Sequence, residues 1–126
     1  MMAVTHPTTV RNALADYVVD QIDLNTPPGK LVMQTAGGAT VATLTFANPA
    51  FGSAAAGTAT ANAIADDTNA VGGTIAKGEL RNGAGTAQAL FSVTATGGGG
   101  DIQMNSVVVS AGQTVRVSSL TYSGPP

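Results

Sequence analysis

Alternation of polar and apolar residues is clearest in the second half of the chain. Within 87–96, the alanines, Phe91 and Val93 fall on one face, and the serine, threonine and glutamine side chains fall on the other. A two-residue period with one polar face predicts a half-buried strand. Leu90 breaks the pattern, so it is either an exposed apolar residue or part of a contact surface. Successive strands are predicted over 74–81, 87–96, 101–109 and 114–123.

Glycine-bearing turns separate these strands and predict how they pair. The dipeptide Asn-Gly at 82–83 favours a tight hairpin, because both central residues of that turn need positive φ. The segment 111–113 separates 107–109 from 114–122, which predicts a second hairpin. The four glycines at 97–100 are expected to form a wide turn or strand crossing.

An amphipathic helix is predicted over 7–24. Proline suits the first turn of a helix, and Thr5 or His6 is expected to occupy the cap. The apolar stripe must pack on something. We expect it to cover one face of the sheet, and the alternative is that it docks on a neighbouring subunit. The stripe recurs every four residues as Val10, Leu14, Val18 and Ile22, with Ala13 and Tyr17 beside it and Arg11, Asn12, Asp16, Asp20 and Asp23 around the rest.

Further strands are predicted between this helix and the second half. Alternation over 30–35 and 40–47 predicts two strands joined by a glycine turn. Phe51 follows in a loop and is expected to fold back as a plug. The alanine-rich run continues into 58–65, where threonine and asparagine alternate with alanine, and this favours a strand over a helix. The residues 66–73 then form a loop.

These segments predict a mainly β chain with one N-terminal helix. We expect a single domain over 1–126, with an arm at 1–6, the helix at 7–24 and strands over 30–123. A chain of 126 residues can bury only a modest core. Oligomerisation would therefore help its stability.

Composition and charge narrow the classes of partner. Only 10% of the residues are charged, so part of the surface is expected to lie against other subunits. The net charge is −2 and the basic residues are scattered, which disfavours a nucleic acid partner. No run approaches the roughly 18 apolar residues of a membrane span, and no signal peptide is visible, so neither a membrane partner nor export by a signal is expected. The basic residues are Arg11, Lys30, Lys77, Arg81 and Arg116.

Candidate chemistry is sparse in this sequence. His6 is the sole histidine and there is no cysteine, which disfavours a metal ligand set or a general base. The oxygen-rich loop 66–69 suits calcium, but its spacing does not match a calcium-binding loop. The glycines at 97–100 are followed by Asp101, which would repel phosphate. The serines stand in no GxSxG motif. We therefore predict no catalytic, cofactor-binding or metal-binding residues and no cofactor.

Four segments carry a resemblance to a known family. The residues 5–12 ahead of the helix, 81–86, 91–102 and 110–122 resemble small tailed-bacteriophage virion structural proteins of the capsid cement or decoration type. The resemblance implies an antiparallel β-sandwich of jelly-roll type. The predicted strand number, about seven or eight, agrees with two sheets. The resemblance supplies no catalytic residues.

The resemblance also implies partners and a location. Such a protein binds the lattice of the major capsid protein on the capsid surface, stabilises the head and is made in the host cytoplasm. We expect it to form a dimer or trimer, because repeated copies let weak contacts add up. The helix stripe, the arm 1–4 and the tail 122–126 are expected to be most free to reach a neighbour.

Other classes compete with this interpretation. A tail or head–tail connector component, such as a tube, terminator or fibre-associated module, would share the β-rich composition. A carbohydrate- or host-binding module would need an aromatic platform, and the chain has no tryptophan and only two tyrosines. An enzyme would need an acid–base pair at a useful spacing, which the sequence does not offer.

Overall fold

A computed structural model of the chain describes residues 4–25, 28–100, 102–104, 106–117 and 120–124. The described part is mainly β, with one helix at the N-terminal end. In chain order the elements are α1 (Thr8–Gln21), β1 (Lys30–Gln34), β2 (Thr40–Thr45), β3 (Thr58–Thr60), β4 (Gly73–Thr74), β5 (Lys77–Arg81), β6 (Ala87–Ala95), β7 (Ile102–Met104), β8 (Val108–Val109) and β9 (Thr121–Ser123).

Five of the strands form one sheet in the order β2-β1-β5-β6-β7. All neighbours in it are antiparallel except β6 and β7, which are parallel. Two short antiparallel ladders, β3–β9 and β4–β8, complete the pairing among the named strands of the described residues. The prediction of a mainly β chain with antiparallel sheets and one helix is therefore confirmed.

One face of the five-stranded sheet lines the core. On β5, Gly78 and Leu80 are buried while the residues between and beside them are not, as the two-residue period requires. The register sets Gly78 between Met33 and Phe91, and a Cβ at Gly78 would collide with the Phe91 ring. The helix packs against β3, β9 and β6. The largest fully buried side chains are Ile22, Leu31, Met33, Leu44, Ile75, Val19 and Val41.

The hairpin β1–β2 and the strand β6 match the predicted strands closely. The turn between β1 and β2 contains Gly38 at φ 95°. Phe51 is buried, as expected for a plug, and its ring lies 5.7 Å from that of Phe46, centroid to centroid. Short segments with strict alternation were therefore placed correctly from the sequence.

The connection between β5 and β6 differs from the predicted two-residue turn. These strands do pair as an antiparallel hairpin, but the loop extends to Thr86, whose C=O accepts from the N–H of Asn82 at 3.0 Å. The side chain of Asn82 accepts from the N–H groups of Ala84 and Thr86, each at 3.0 Å. Within this loop only Gly85 has positive φ, at 84°. The Asn-Gly pair therefore works through the asparagine side chain rather than through a tight turn.

The predicted strands 74–81, 101–109 and 114–123 are broken into shorter pieces. The first becomes β4 and β5, and the second becomes β7 and β8, which belong to different sheets. The predicted second hairpin is wrong, because β8 pairs with β4 and β9 pairs with β3. The local turn does form, since the N–H of Gln113 donates to Ser110 C=O at 3.0 Å, but the segments on either side pair elsewhere: Val109 with Gly73 and Val115 with Asp67.

The predicted strand 58–65 is only partly formed. Its first residues make β3, while Ala61 and Ala65 form isolated bridges with Phe51 and Thr45. Alanine offers little apolar surface to fix a long pairing, because each buried methyl group contributes only about 1 kcal/mol. The segment therefore pairs at separate points.

The helix is shorter than the predicted range 7–24. It begins at Thr8 with Pro7 at the N-cap, and no side chain caps it. The expected cap at Thr5 or His6 is therefore wrong. Pro7 nevertheless serves the helix start, because its C=O accepts from the N–H groups of Val10 and Arg11, each at 3.0 Å.

Candidate interaction surfaces

The helix buries a different face from the one predicted. Ala15, Val19 and Ile22 are fully buried, at a spacing of four and three residues. Of the predicted stripe only Ile22 is fully buried, and Val10 is exposed. The expectation that the whole stripe packs on the sheet is therefore wrong: small alanine and valine side chains let the helix approach the β3–β9 ladder closely.

Several apolar side chains on the helix and just beyond it face solvent, while Leu14 and Val18 of the predicted stripe are half-buried. Val10, Tyr17 and Leu24 are 39%, 69% and 47% exposed, and Leu14 between them is half-buried. Val10, Leu14 and Tyr17 are spaced by four and three residues, as in a narrow seam by which one helix contacts another. Leu24 lies three residues beyond the end of the helix. We call these four apolar residues the α1 stripe.

A third side of the helix is polar and holds the loop 50–57 in place. The side-chain oxygens of Asn12, Asp16 and Asp23 accept from the backbone N–H groups of Gly57, Ala54 and Ala50, at 2.7, 2.7 and 2.9 Å respectively. These bonds satisfy buried or half-buried peptide groups that have no strand partner. They fix the rotation of the helix, and the α1 stripe consequently points outwards.

Asp20 lies on the same helix without taking part in that clamp. Burial raises the pKa of its carboxyl, and the neighbouring carboxylates of Asp16 and Asp23 raise it further. No basic residue stands in the last turn of the helix, where a cation would complement the helix dipole. Asp20 therefore disfavours the folded state when it is ionised.

The outer edge of β6 is the second exposed surface with apolar character. Leu90 is 75% exposed, which fits both alternatives predicted from its break in the strand pattern, an exposed apolar residue or part of a contact surface. It borders a cleft of about 290 Å³ that Leu80, Phe91, Leu120 and Tyr122 also line. Among the described residues, β7 pairs with β6 only from Val93 onwards.

The oxygen-rich loop 66–69 is occupied with structural contacts. Asp66 accepts three hydrogen bonds at 3.0, 3.1 and 3.3 Å from the guanidinium of Arg116, and this ion pair raises the pKa of Arg116. Asp67 accepts from the N–H groups of Thr43 and Asn69 at 2.8 and 2.9 Å. Within the described residues, no group of three potential metal ligands is present. This loop therefore braces β2 and Val115, to which Asp67 is bridged.

The glycine run 97–100 is a turn between β6 and β7. Gly97 and Gly99 have φ values of 90° and 81°, which explains the requirement for glycine there. The N–H of Gly98 donates to the C=O of Ala95 at 2.9 Å, and that of Gly100 to Thr94 Oγ1 at 3.0 Å. These donors are engaged within the turn, as the structural interpretation of this run predicted. Asp101 lies outside the described residues.

The C-terminal tail differs from the expectation of a free arm. Val4 is exposed, and residues 1–3 lie outside the described range. In the tail, Tyr122 pairs with Ala59 in the β3–β9 ladder, and the N–H of Gly124 donates to Gly57 C=O at 2.7 Å. The tail is therefore part of the fold at least to Gly124, and residues 125–126 lie outside the described range.

His6 is half-buried at the start of the helix. The described serines are spread over the chain, and Ser118 and Ser119 lie outside the described residues. The helix in the described part of the chain is too short and too polar to cross a membrane.

The chain matches none of the known protein families, curated proteins or solved structures with which it was compared. Sequence reasoning missed the clamp formed by Asn12, Asp16 and Asp23. The spacing of these residues by four and seven positions was visible as a polar helix side, but its partners are backbone groups more than 25 residues away in the chain.

Proposed function

We propose that this chain is a non-enzymatic virion structural protein of a tailed bacteriophage, of the cement or decoration type, which binds the major capsid protein lattice and stabilises the head. The observation that carries the proposal is the outward-facing α1 stripe. Exposed apolar side chains on the helix, and Leu24 just beyond its end, cost hydration free energy unless a partner covers them. A protein that assembles with other proteins has such a surface. This protein would lie on the outside of the capsid.

Three further features support an assembly role. The charged fraction of the sequence is 10%, which suits broad contact with neutral protein surfaces. The helix that carries the stripe is fixed by its polar clamp and by Ile22, so little order is lost on binding. The resemblance of 81–86, 91–102 and 110–122 to phage structural proteins supplies the setting.

The finer fold assignment belongs to the same proposal. We infer that the five-stranded sheet and the elements packed on its inner face act as the two layers of a jelly-roll-like β-sandwich. The β3–β9 ladder and the helix, which contact each other, would supply the second layer. This arrangement leaves the α1 stripe on the outside of that layer.

Co-sedimentation with capsids that lack this protein tests the proposed function. We expect saturable binding at a fixed ratio to the major capsid protein. Failure to bind capsids would exclude the cement role. If the protein alone then assembled into rings or tubes, the tail or connector role would replace it.

A pair of variants tests whether the α1 stripe makes the contact. Tyr17→Glu places a charge in the middle of the stripe, so we expect capsid affinity to fall at least tenfold, since burying an unpaired charge is costly. Val71→Glu is the matched control, because Val71 is similarly exposed but lies in the loop before β4. Equal binding by wild type and Tyr17→Glu would show that another surface contacts the capsid.

A further inference from the structure

The outward face of the five-stranded sheet carries three of the five basic residues of the chain. Directly opposite side chains in a sheet share a face, and the pairs Leu31–Leu80 and Met33–Gly78 face the core. The pairs that alternate with them therefore face outwards. We call this surface the outer sheet face. Its polar members on β1 and β5, with Leu90 on β6, are Lys30, Gln34, Lys77, Glu79, Arg81 and Leu90.

The charges of the outer sheet face do not cancel. Arg81 Nε donates to Glu79 Oε1 at 2.7 Å, and Lys30 Nζ donates to Thr45 Oγ1 at 3.1 Å. Lys77 is exposed, and its ammonium has no ion-pair partner among the described residues. In the described part of this face, three cations stand with one carboxylate, which leaves an excess of two positive charges in a chain whose net charge is −2.

The helix and the turn after it have the opposite charge. Residues 8–24 contain three aspartates and a single basic residue, Arg11, so two negative charges are in excess. No basic residue stands in the last turn, where the helix dipole favours a cation. Asp20 is exposed and comes three residues after Tyr17, so the two side chains are neighbours on the helix surface. A cation from another molecule would complement this side of the helix.

We propose that the α1 stripe and Asp20 of one copy dock on the outer sheet face of a second copy. Tyr17 and Leu90 are 69% and 75% exposed, and a shallow cleft of about 370 Å³ lies beside Leu90, Lys77 and Glu79. The ring of Tyr17 would enter this cleft against Leu90, which removes apolar surface from water on both copies. Asp20 would then meet the ammonium of Lys77.

The spacing of these side chains agrees with such a contact. Residues three apart on a helix, such as Tyr17 and Asp20, have Cβ atoms about 5–6 Å apart. Lys77 pairs with the residue two positions after Leu90, and such diagonal neighbours are about 7–8 Å apart. The long lysine side chain covers the difference, so one apolar contact and one ion pair form together.

The two surfaces point away from each other within one copy. Val19 and Ile22 of the helix belong to the same core as Leu31 and Met33 of the sheet, so the α1 stripe and the outer sheet face lie on opposite sides of the molecule. The contact is therefore head-to-tail, and it builds a stack or a ring rather than a twofold dimer.

This inference goes beyond the proposed function, because the copies would associate without a capsid. It also adds a competition to that function. The outer sheet face of a neighbouring copy would cover the same α1 stripe that contacts the capsid, so the free protein would hide this apolar surface until it meets the capsid lattice.

Sedimentation equilibrium of the full chain tests the contact first. We expect a mass that rises above the 12.4 kDa of one chain as the protein concentration increases to about 1 mM, which covers weak association. The mass should fall when salt is raised from about 0.01 M to about 1 M, because the Debye length shortens from about 30 Å to about 3 Å. A single-chain mass throughout, or a mass that levels off at twice that of one chain, would overturn the inference.

A matched pair of variants tests the role of Lys77. Lys77→Gln and Gln113→Glu lower the net charge equally. Gln113 is exposed in the loop 111–113, and glutamate keeps the acceptor for the N–H of Ser110. Lys77→Gln should weaken self-association about two- to fivefold, as expected for the loss of one exposed ion pair, and Gln113→Glu should leave it unchanged. Equal effects of the two variants would contradict the contact.

A charge swap tests the pairing of Lys77 with Asp20. Lys77→Glu and Asp20→Lys should each weaken self-association, because each places like charges together across the contact. The double variant restores opposite charges and should return to within about twofold of wild type. Circular dichroism checks that all variants fold. A double variant that associates more weakly than either single variant would exclude this pairing.

The outcomes for the two proposals can be separated. Salt-sensitive self-association with rescue by the charge swap, but without sedimentation with capsids, retains this inference and removes the cement role. A chain that stays single at every concentration but binds capsids at a fixed ratio does the reverse. If both proposals hold, Lys77→Gln should still saturate capsids at the wild-type ratio, whereas Tyr17→Glu should weaken both contacts.

Discussion

Asn82 shows how one side chain can decide the shape of a loop. It is only 4% exposed, and its carbonyl oxygen accepts from two backbone N–H groups, those of Ala84 and Thr86. Each of these hydrogen bonds contributes about 1 kcal/mol to stability. The asparagine therefore organises the turn that positions β6 beside β5.

Replacing Asn82 with alanine should destabilise the fold through this loop. Two N–H groups lose their acceptor, so we expect Asn82→Ala to lower the free energy of unfolding by about 2 kcal/mol. Urea denaturation followed by circular dichroism measures the change. Asn69→Ala is the matched control: Asn69 is exposed and bonds to Asp67 through its backbone, so a change below about 0.5 kcal/mol is expected. Equal losses in the two variants would contradict the role of the Asn82 side chain.

At the scale of the element, three sides of the helix α1 have different surroundings. Ala15, Val19 and Ile22 pack inwards, the clamp residues hold the loop 50–57, and the α1 stripe faces outwards. A sequence pattern shows that a helix has an apolar stripe but not which side the rest of the fold covers. Here the short Ala15 and the clamp turn the larger apolar side chains towards solvent.

The carboxyl group of Asp20 makes the stability of the fold depend on pH. Because the pKa of Asp20 is raised in the folded protein, the folded state binds more protons there than the unfolded state, and stability falls as pH rises from the ordinary aspartate value through the raised one. We expect Asp20→Asn to raise the melting temperature at pH 7. The gain should largely disappear at pH 3, where Asp20 is mostly protonated in both the folded and the unfolded state. Calorimetry at the two pH values checks this, and an equal gain at both would point to helix propensity instead.

At the scale of the whole molecule, the sequence predicted elements better than their pairing. The strands β1, β2 and β6 and the hairpin β5–β6 follow from alternation and from turns a few residues long. The ladders β3–β9 and β4–β8 join residues such as Ala59 and Tyr122, which are far apart in the chain. No local pattern encodes that partnership. Of the surfaces, the exposure of Leu90 followed from its break in the alternation, whereas the outward turn of the α1 stripe did not.

The β3–β9 ladder makes the C-terminal segment part of the structure. Gly124 is buried, and a Cβ there would collide with the backbone of Arg11 in the helix. Its N–H bonds to Gly57, which Asn12 also holds. The first and last elements of the chain therefore meet around one loop.

Removal of residues 120–126 should consequently destabilise the whole domain. The truncated chain loses the β3–β9 ladder, the bond from Gly124 to Gly57 and the cover over Ala59, so we expect a loss of about 2 kcal/mol or more, at about 1 kcal/mol for each hydrogen bond. Urea denaturation measures the loss, with Ser123→Ala as the control, because it deletes only the exposed contact of Ser123 Oγ with Thr58 Oγ1 at 3.0 Å. A truncated protein as stable as wild type would mean that the tail is the free arm that the sequence predicted. It would then be available to a neighbouring subunit, whereas a large loss would show that the tail is held in the fold by its ladder with β3.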